Sequence, residues 1–544
     1  MLKPTQPTLA CSFSQTDLML QPEQAVRRTT LFQESGPSRK RRGWLNGAAT
    51  LGLLTSLLIA PAVSRAEEPG RASTGSGSGS AHRALLGAAD DITRTVVSLR
   101  GLSAKTTVMR GVLSRAEIGA KLRERSAQDV TPEELRIEAG VLKRLGLLPE
   151  NADYEKLIFD LLTEQVAGFY EPRVRTLYIA DWLPLDFQRP ALAHEIEHAL
   201  QDQHFDLRQF LLPQKDNGDR LLARSAVAEG DGVALMLEFS TRQAGTDPAK
   251  MPQMVAKLGK PMMQMIMSTS PSLQRAPVIL RESLMFPYVV GLEFVSAHRG
   301  TGSWSRVDEL FRSPPESTEQ VLHPEKFVQH EQPVRITAAP LPSMEARKEV
   351  RRDVLGELIY KVWFSGRSGE AAGAQAAAGW GGDRLVAYTQ DGEALPTLVM
   401  LSAWDTEADA EEAAVATRKQ VLALTGNKDG STSIKPASAM FARSVGGRTF
   451  ATQRRERLVL TLCGVQQGSE AAVTDEVFKL WKVEWPAAVS LPSPAVPSPG
   501  HARDARASKL QGGCGCCSQG PCLTTAQRKK AIKEAQLARL RCLA

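Results

Sequence analysis

Histidine is scarce in this chain, eight in 544 residues, yet two of the eight stand four apart in His194-Glu195-Ile196-Glu197-His198. On a helix, residues four apart share a face about one turn apart, so both imidazoles can reach one ion. The pattern H-E-x-x-H is a zinc-site pattern, with the histidines as ligands and Glu195 placed to take a proton from a water on the metal. Zinc lowers the pKa of such a water toward neutrality and readies it for attack on a carbonyl. The plain alternative is a polar, solvent-facing stretch of helix.

A catalytic zinc takes three protein ligands and keeps one position open. Glu229 is the expected third ligand. It lies in Ala226-Val227-Ala228-Glu229-Gly230-Asp231, within an apolar stripe of Leu222, Ala226, Val233 and Leu237. A carboxylate aimed at a core needs a cation or strong hydrogen bonds. Two alternatives stay open: Glu229 paired with an arginine such as Arg224, and His204 as third ligand. Asp231 is a candidate to hold a ligand imidazole by its free N–H. Gly230 and Gly232 weaken the helix but allow a neighbour to approach closely. His323 and Tyr288 are candidate donors to an oxyanion. For His323, a hydrogen bond that fixes its loop is the competing reading.

These residues need two helices. The first follows directly on two short strands, in Gly168–Arg173 and Thr176–Ala180. Pro190 suits its first turn. Leu192, Ile196, Ala199 and Leu200 make a core-facing stripe, with the histidines roughly opposite and shown to a cleft. The second helix is expected over Leu221–Phe239. Helical spacing also runs from Arg83 to about Gly146, with a start at Thr131-Pro132-Glu133-Glu134, then over Tyr154–Val166 and Pro287–His298. A different texture begins near Glu349. A helix there precedes strands over Arg384–Thr389, Thr397–Ser402, Met440–Ala451 and Arg457–Leu462. Helices are expected over Glu407–Leu424 and Asp475–Trp481. The fold class is therefore α+β, a mainly helical domain with a small sheet followed by a smaller α+β domain.

The N-terminus reads as an export signal. Arg39–Arg42 is positive, Leu51–Ala60 is apolar, and Ser64-Arg65-Ala66 offers small residues at the positions a signal peptidase reads. The segment Arg41-Arg42-Gly43-Trp44-Leu45 resembles a twin-arginine signal, with Lys40 departing from the usual pattern. An uncleaved membrane anchor is the alternative, and membrane contact is expected only through that segment. Localisation is accordingly periplasmic, cell-envelope or secreted. The net charge of +7 is concentrated toward the ends. No basic stripe interleaves with aromatics, which argues against nucleic-acid binding. Cys514, Cys516, Cys517, Cys522 and Cys542 crowd the tail in a spacing that fits no standard zinc module and suits disulfides or surface attachment. The expected division is a leader and signal at 1–66, a linker at 67–82, the metal-bearing domain at 83–348, the α+β domain at 349–486, and a Pro/Ser linker with a Cys-rich basic tail at 487–544.

The whole resembles the gluzincin group of zinc metallopeptidases, in which H-E-x-x-H on one helix is joined by a glutamate on a later helix. His194, His198 and Glu229 match its ligands, and Glu195 its general base. The segments His194–Leu207 and Ala228-Glu229-Gly230-Asp231 are similar to uncharacterised exported bacterial proteins of the peptidase-MA-like kind. So are Pro314–Pro324 and Gly379-Trp380-Gly381-Gly382-Asp383-Arg384. Glu197 departs from those relatives, which often carry Thr there, and the cysteine tail has no counterpart. The resemblance implies a zincin-like domain, a Zn2+ cofactor, and a protein or peptide substrate paired along an edge strand, for which Thr176–Ala180 is the natural candidate. Two other readings compete: a non-catalytic zinc-containing binding or structural protein of the cell envelope, and a zinc hydrolase of a non-peptide amide or ester.

Overall fold

Apolar residues at helical spacing set the first element. The helix Gly77–Arg100 buries Leu85, Ala89, Ile92 and Val96 along one face. A computed structural model describes residues 77–486, apart from 165–167, 213–215, most of 244–269, 301–302 and 427–438. The expected leader, signal and cysteine tail lie outside the described residues. The first helix begins inside the stretch expected to be linker. No described helix is long and apolar enough to cross a membrane.

The chain is α+β, with helices around a small mixed sheet followed by a six-stranded antiparallel sheet. The small sheet holds a strand that local spacing did not announce. Met109–Leu113 forms β1, within a stretch where helical spacing was expected, because it pairs in parallel with β3 (Thr176–Ala180), from Met109↔Thr176 to Leu113↔Ala180. Such pairing is long-range and leaves no periodic mark in five residues. The expected hairpin is present, with β2 (Gly168–Glu171) antiparallel to β3 and Arg175 in the left-handed region at φ 49°. The order β1-β3-β2 makes Thr176–Ala180 the central strand. It is therefore not the free edge expected of it, since both its sides are spent on β1 and β2.

The motif helix runs from Leu185 to Phe205 and ends at Asp206, φ 52°. It starts a turn earlier than Pro190 suggested, so that proline sits inside it. The Gln188 side chain donates to the carbonyls of Ala180 and Leu183, which ties the early start to the end of β3. The glutamate helix, Gly218–Gln243, is buried on nearly every side. It crosses the helix Val278–Arg299 at backbone contact: a Cβ on Gly230 would lie 2.3 Å from the Gly291 carbonyl. Only glycine fits at that crossing.

The second sheet has the order β5-β6-β7-β10-β9-β8. Its strands are Lys348–Asp353, Trp380–Thr389, Thr397–Trp404, Leu458–Gln466, Arg448–Arg455 and Phe441–Val445 in that order. The charged Lys348–Asp353 was not legible as a strand because it is an edge whose side chains stay largely in ion pairs. The single strand expected over Met440–Ala451 is a hairpin turned at Gly446 and Gly447, both at positive φ. One face packs on the helices Gly356–Ser368 and Glu407–Leu424. The other packs on the helix Glu470–Leu480 and on a ribbon of β4 (Arg335–Thr337) with β11 (Lys482–Glu484). Val141 and Leu145, from the region of the helix Pro132–Arg144, join the first of these cores.

The segments Pro314–Pro324 and Gly379–Arg384 both bond to the stretch Leu355–Leu358 at the base of the glutamate helix. Asp383 accepts from the Leu355 and Gly356 amides and from the Trp380 indole. Asp219, in the first turn of the glutamate helix, accepts from the Thr318 amide and hydroxyl. Gly356, at φ 78°, leaves no room for a side chain: a Cβ there would sit 1.7 Å from Asp219 Oδ1.

Candidate metal centre

The motif helix and the glutamate helix bring His194, His198 and Glu229 together, with their ligand atoms all within 4.8 Å of one another. Glu229 Oε2 lies 3.1 Å from His194 Nε2 and 3.5 Å from His198 Nε2. The two imidazoles meet edge to face, centroids 4.5 Å apart. His198 Nε2 is buried without a hydrogen-bond partner. Two imidazole nitrogens and one carboxylate form a donor set that suits a borderline divalent cation.

The backbone of the glutamate helix is shaped for this approach. A Cβ on Gly232 would lie 2.7 Å from His194 Cε1, so the bare glycine is what lets the ring lie against the helix. Tyr288, buried on the helix Val278–Arg299, stacks on the same ring at 6.3 Å. Glu195 reaches the small sheet: its Oε2 accepts from the Tyr170 amide of β2 at 2.7 Å, while Oε1 has no partner.

All four side chains are at most 1 % exposed. The histidines are thus covered, contrary to the expectation that the helix shows them to a cleft. The glutamate helix closes over them, a packing that motif-helix periodicity cannot report. An open cavity of about 640 Å³ lies instead at the C-terminal end of the motif helix, lined by Arg175, Asp202, His204 and Phe311 among others.

Burial and neighbours set the charges. Burial raises the Glu195 carboxyl to about 8, although His198 and the Tyr170 amide pull it down. Burial also lowers His194, helped by His198. Glu229 is pushed up by burial, but the two imidazoles hold it below the usual carboxylate range. Burial would lower His198, yet Glu229 and Glu195 lift it to about 10.

Asp231 does not touch an imidazole in the way expected. Gln201 stands between: its Oε1 lies 2.9 Å from His198 Nδ1, and its Nε2 donates to Ala228 O at 3.0 Å and Asp231 Oδ2 at 2.9 Å. Asp231 in turn faces the buried Arg100 guanidinium, with both bonds at 3.2 Å. Arg100 also meets Glu197 at 3.0 Å and Asp308 at 2.7 Å. Glu197 therefore points away from the cluster, into an ion-pair group. Burial and the adjacent Asp231 raise its pKa.

The remaining candidates fall elsewhere. His204 bonds Ser103 O at 2.7 Å, at the end of the motif helix. Arg224 faces Glu316 rather than Glu229. His323 bonds Glu357 Oε1 at 2.9 Å, the loop-fixing role, which withdraws it as an oxyanion donor. Burial opposes that proton, but the Glu357 bond is the larger effect and raises the His323 pKa. Sequence reasoning missed Gln201, Tyr170 and Arg100. Gln201 had a signal, since it sits three residues after His198 on the same helix and so within side-chain reach. Arg100, 131 positions from Asp231, had none.

Comparison with known proteins reaches only the second sheet. The family described as "Domain of unknown function (DUF8575)" matches residues 343–474, from just before β5 into the helix Glu470–Leu480. His194, Glu195, His198 and Glu229 lie outside that match. No curated protein and no solved structure matches the chain.

Proposed function

We propose that this chain is a zinc-dependent metallohydrolase, and by its resemblance to the gluzincin group a peptidase acting outside the cytoplasm. The observation that carries this reading is the convergence of His194, His198 and Glu229 beside a fourth group, Glu195, that no ligand role requires. A bound zinc ion supplies Lewis acidity and lowers the pKa of a water in its open position. His194 and His198 would hold the ion through Nε2, and Glu229 through a carboxylate oxygen. Glu195 keeps Oε2 on the Tyr170 amide and has Oε1 unpartnered, so one oxygen orients the carboxyl and, in the ionised form that is populated as pH approaches about 8, the other can take a proton. A purely structural zinc site has four protein ligands and needs no such base.

The edge that faces this group is β2, not β3. An extended peptide pairing with β2 would compete with Glu195 for the Tyr170 N–H and bring its carbonyl toward the cluster. Tyr288, against the His194 ring, is the candidate oxyanion donor that the packing keeps near.

One observation favours the second reading, a non-catalytic zinc-containing protein of the cell envelope: the cluster is almost wholly buried. A single comparison separates the two. Zinc content is measured on the purified chain, and Glu195→Gln is compared with wild type on a peptide library. The peptidase reading expects equal zinc and cleavage lost by more than about 100-fold, as for removal of a general base. Zinc with no Glu195-dependent cleavage would establish the structural reading instead.

A further inference from the structure

We infer that Gln201 is a positioning residue that fixes which nitrogen of His198 faces the metal, and that Arg100 holds it in place through Asp231. The inference rests on the metal reading above and extends it to groups behind the ligands.

The hydrogen bonds decide the orientation of Gln201. An amide nitrogen carries two hydrogens and an amide oxygen none. On one side of the side chain lie two acceptors, Ala228 O at 3.0 Å and Asp231 Oδ2 at 2.9 Å. Turning the amide over would set its oxygen against a carbonyl and a carboxylate and lose both bonds. Nε2 therefore faces those acceptors, and Oε1 faces His198 Nδ1 at 2.9 Å. An oxygen there can only accept, so Nδ1 must carry the proton. In the neutral ring the lone pair then lies on Nε2, the nitrogen on the side of Glu229 with no hydrogen-bond partner.

The chain continues outward. Asp231 is held by the Arg100 guanidinium through two bonds, one to each carboxylate oxygen. A fork of this kind fixes the carboxylate in plane as well as in place. Gln201, Asp231 and Arg100 are each no more than 1 % exposed, so water does not compete for these bonds. Arg100 comes from the last turn of the first helix, which thereby bears on the ligand geometry without contacting a ligand.

The test uses the full-length chain and zinc itself, with affinity measured by chelator competition and stability by melting of the zinc-free protein. Gln201→Leu removes the acceptor for Nδ1–H and should weaken zinc binding about 10–100-fold, the usual cost of losing a partner behind a ligand. Gln201→Glu keeps an acceptor for Nδ1–H but sets a carboxylate against Asp231 and Ala228 O. It should melt lower while keeping zinc affinity near wild type. Affinity and stability are thus expected to separate between the two variants. In zinc-loaded protein labelled with 15N-histidine, His198 should show a protonated Nδ1, whose resonance moves in Gln201→Leu. Affinity that simply follows melting temperature in both variants overturns the inference, as does a His198 protonated on Nε2 in the wild type. The latter reading needs no variant to fold. Wild-type protein that takes up no zinc is a different failure, that of the metal reading.

Discussion

Two groups of three ligand-type side chains are close enough to hold an ion among the described residues. In one, Glu319, Glu331 and Asp405 surround Lys326, whose ammonium lies 2.8 Å from Glu331 and 2.6 Å from Asp405 and also bonds Glu319. The protein fills that site with its own cation. In the other, Glu229 faces two imidazoles, and the closest positive charge a side chain can offer is a proton on histidine. The imidazole group is fully buried while Glu331 and Asp405 of the lysine hub are partly exposed, yet only the hub, the less desolvated of the two, holds a permanent positive charge. The contrast separates a fold-holding ion pair from a group with donors left over for a ligand.

The largest expected effect is at Glu229. Glu229→Ala should lower zinc affinity by more than the roughly 10–100-fold typical of partners behind a ligand, with little loss of secondary structure by circular dichroism. Unchanged zinc in the purified variant would remove Glu229 from the ligand set and erase the distinction. At the lysine hub the opposite split is expected. Lys326→Ala strands the buried Glu319 and should destabilise the fold by about 2–3 kcal/mol, below the roughly 3–5 kcal/mol of a fully buried broken pair because Glu331 and Asp405 are partly solvated. Its zinc content should equal that of wild type; a parallel loss of zinc would show that the two groups are not independent.

The smallest effect concerns the joint between the glutamate helix and the second sheet. Burial raises Asp219 to about 8 against an ordinary value of 3.8, despite the Thr318 bonds that favour its charged form. Between those values the folded protein keeps a proton that the unfolded chain has lost. This group's stabilising contribution is therefore full below about pH 4, declines as pH rises, and is gone above about pH 8. Asp219→Asn keeps an acceptor for Thr318 and cannot ionise. Its melting temperature relative to wild type should climb steadily between pH 5 and pH 8, as the wild type loses this contribution. A difference that is flat across that range would mean Asp219 is charged in the fold.

Much of this was legible in the sequence. The hairpin before the motif, the motif helix, the glutamate helix and the helix Glu407–Leu424 all follow from local signals: turn residues, helical spacing, caps. Glu229 could be singled out because a carboxylate within an apolar stripe is a contradiction that asks for a partner. β1 was not legible because it exists through pairing with a strand distant in the chain, and the charged β5 because it is an edge strand whose side chains stay largely in ion pairs. The same holds for the central place of Thr176–Ala180, because a strand's neighbours are not written in its own residues.

The sequence by itself determined which side chains could meet an ion, since the spacing of His194 and His198 is a property of one helix. It also determined that glycine stands at 230 and 232. Tertiary structure decided why glycine is needed there: a neighbouring helix crosses at Gly230, and the His194 ring lies against Gly232. It decided too that the cluster is covered, that β2 rather than β3 offers an edge to it, and that Gln201 stands between His198 and Asp231. These are facts about surfaces brought together from distant parts of the chain. Helical periodicity fixes the direction of a side chain from its own axis, but not what arrives to meet it.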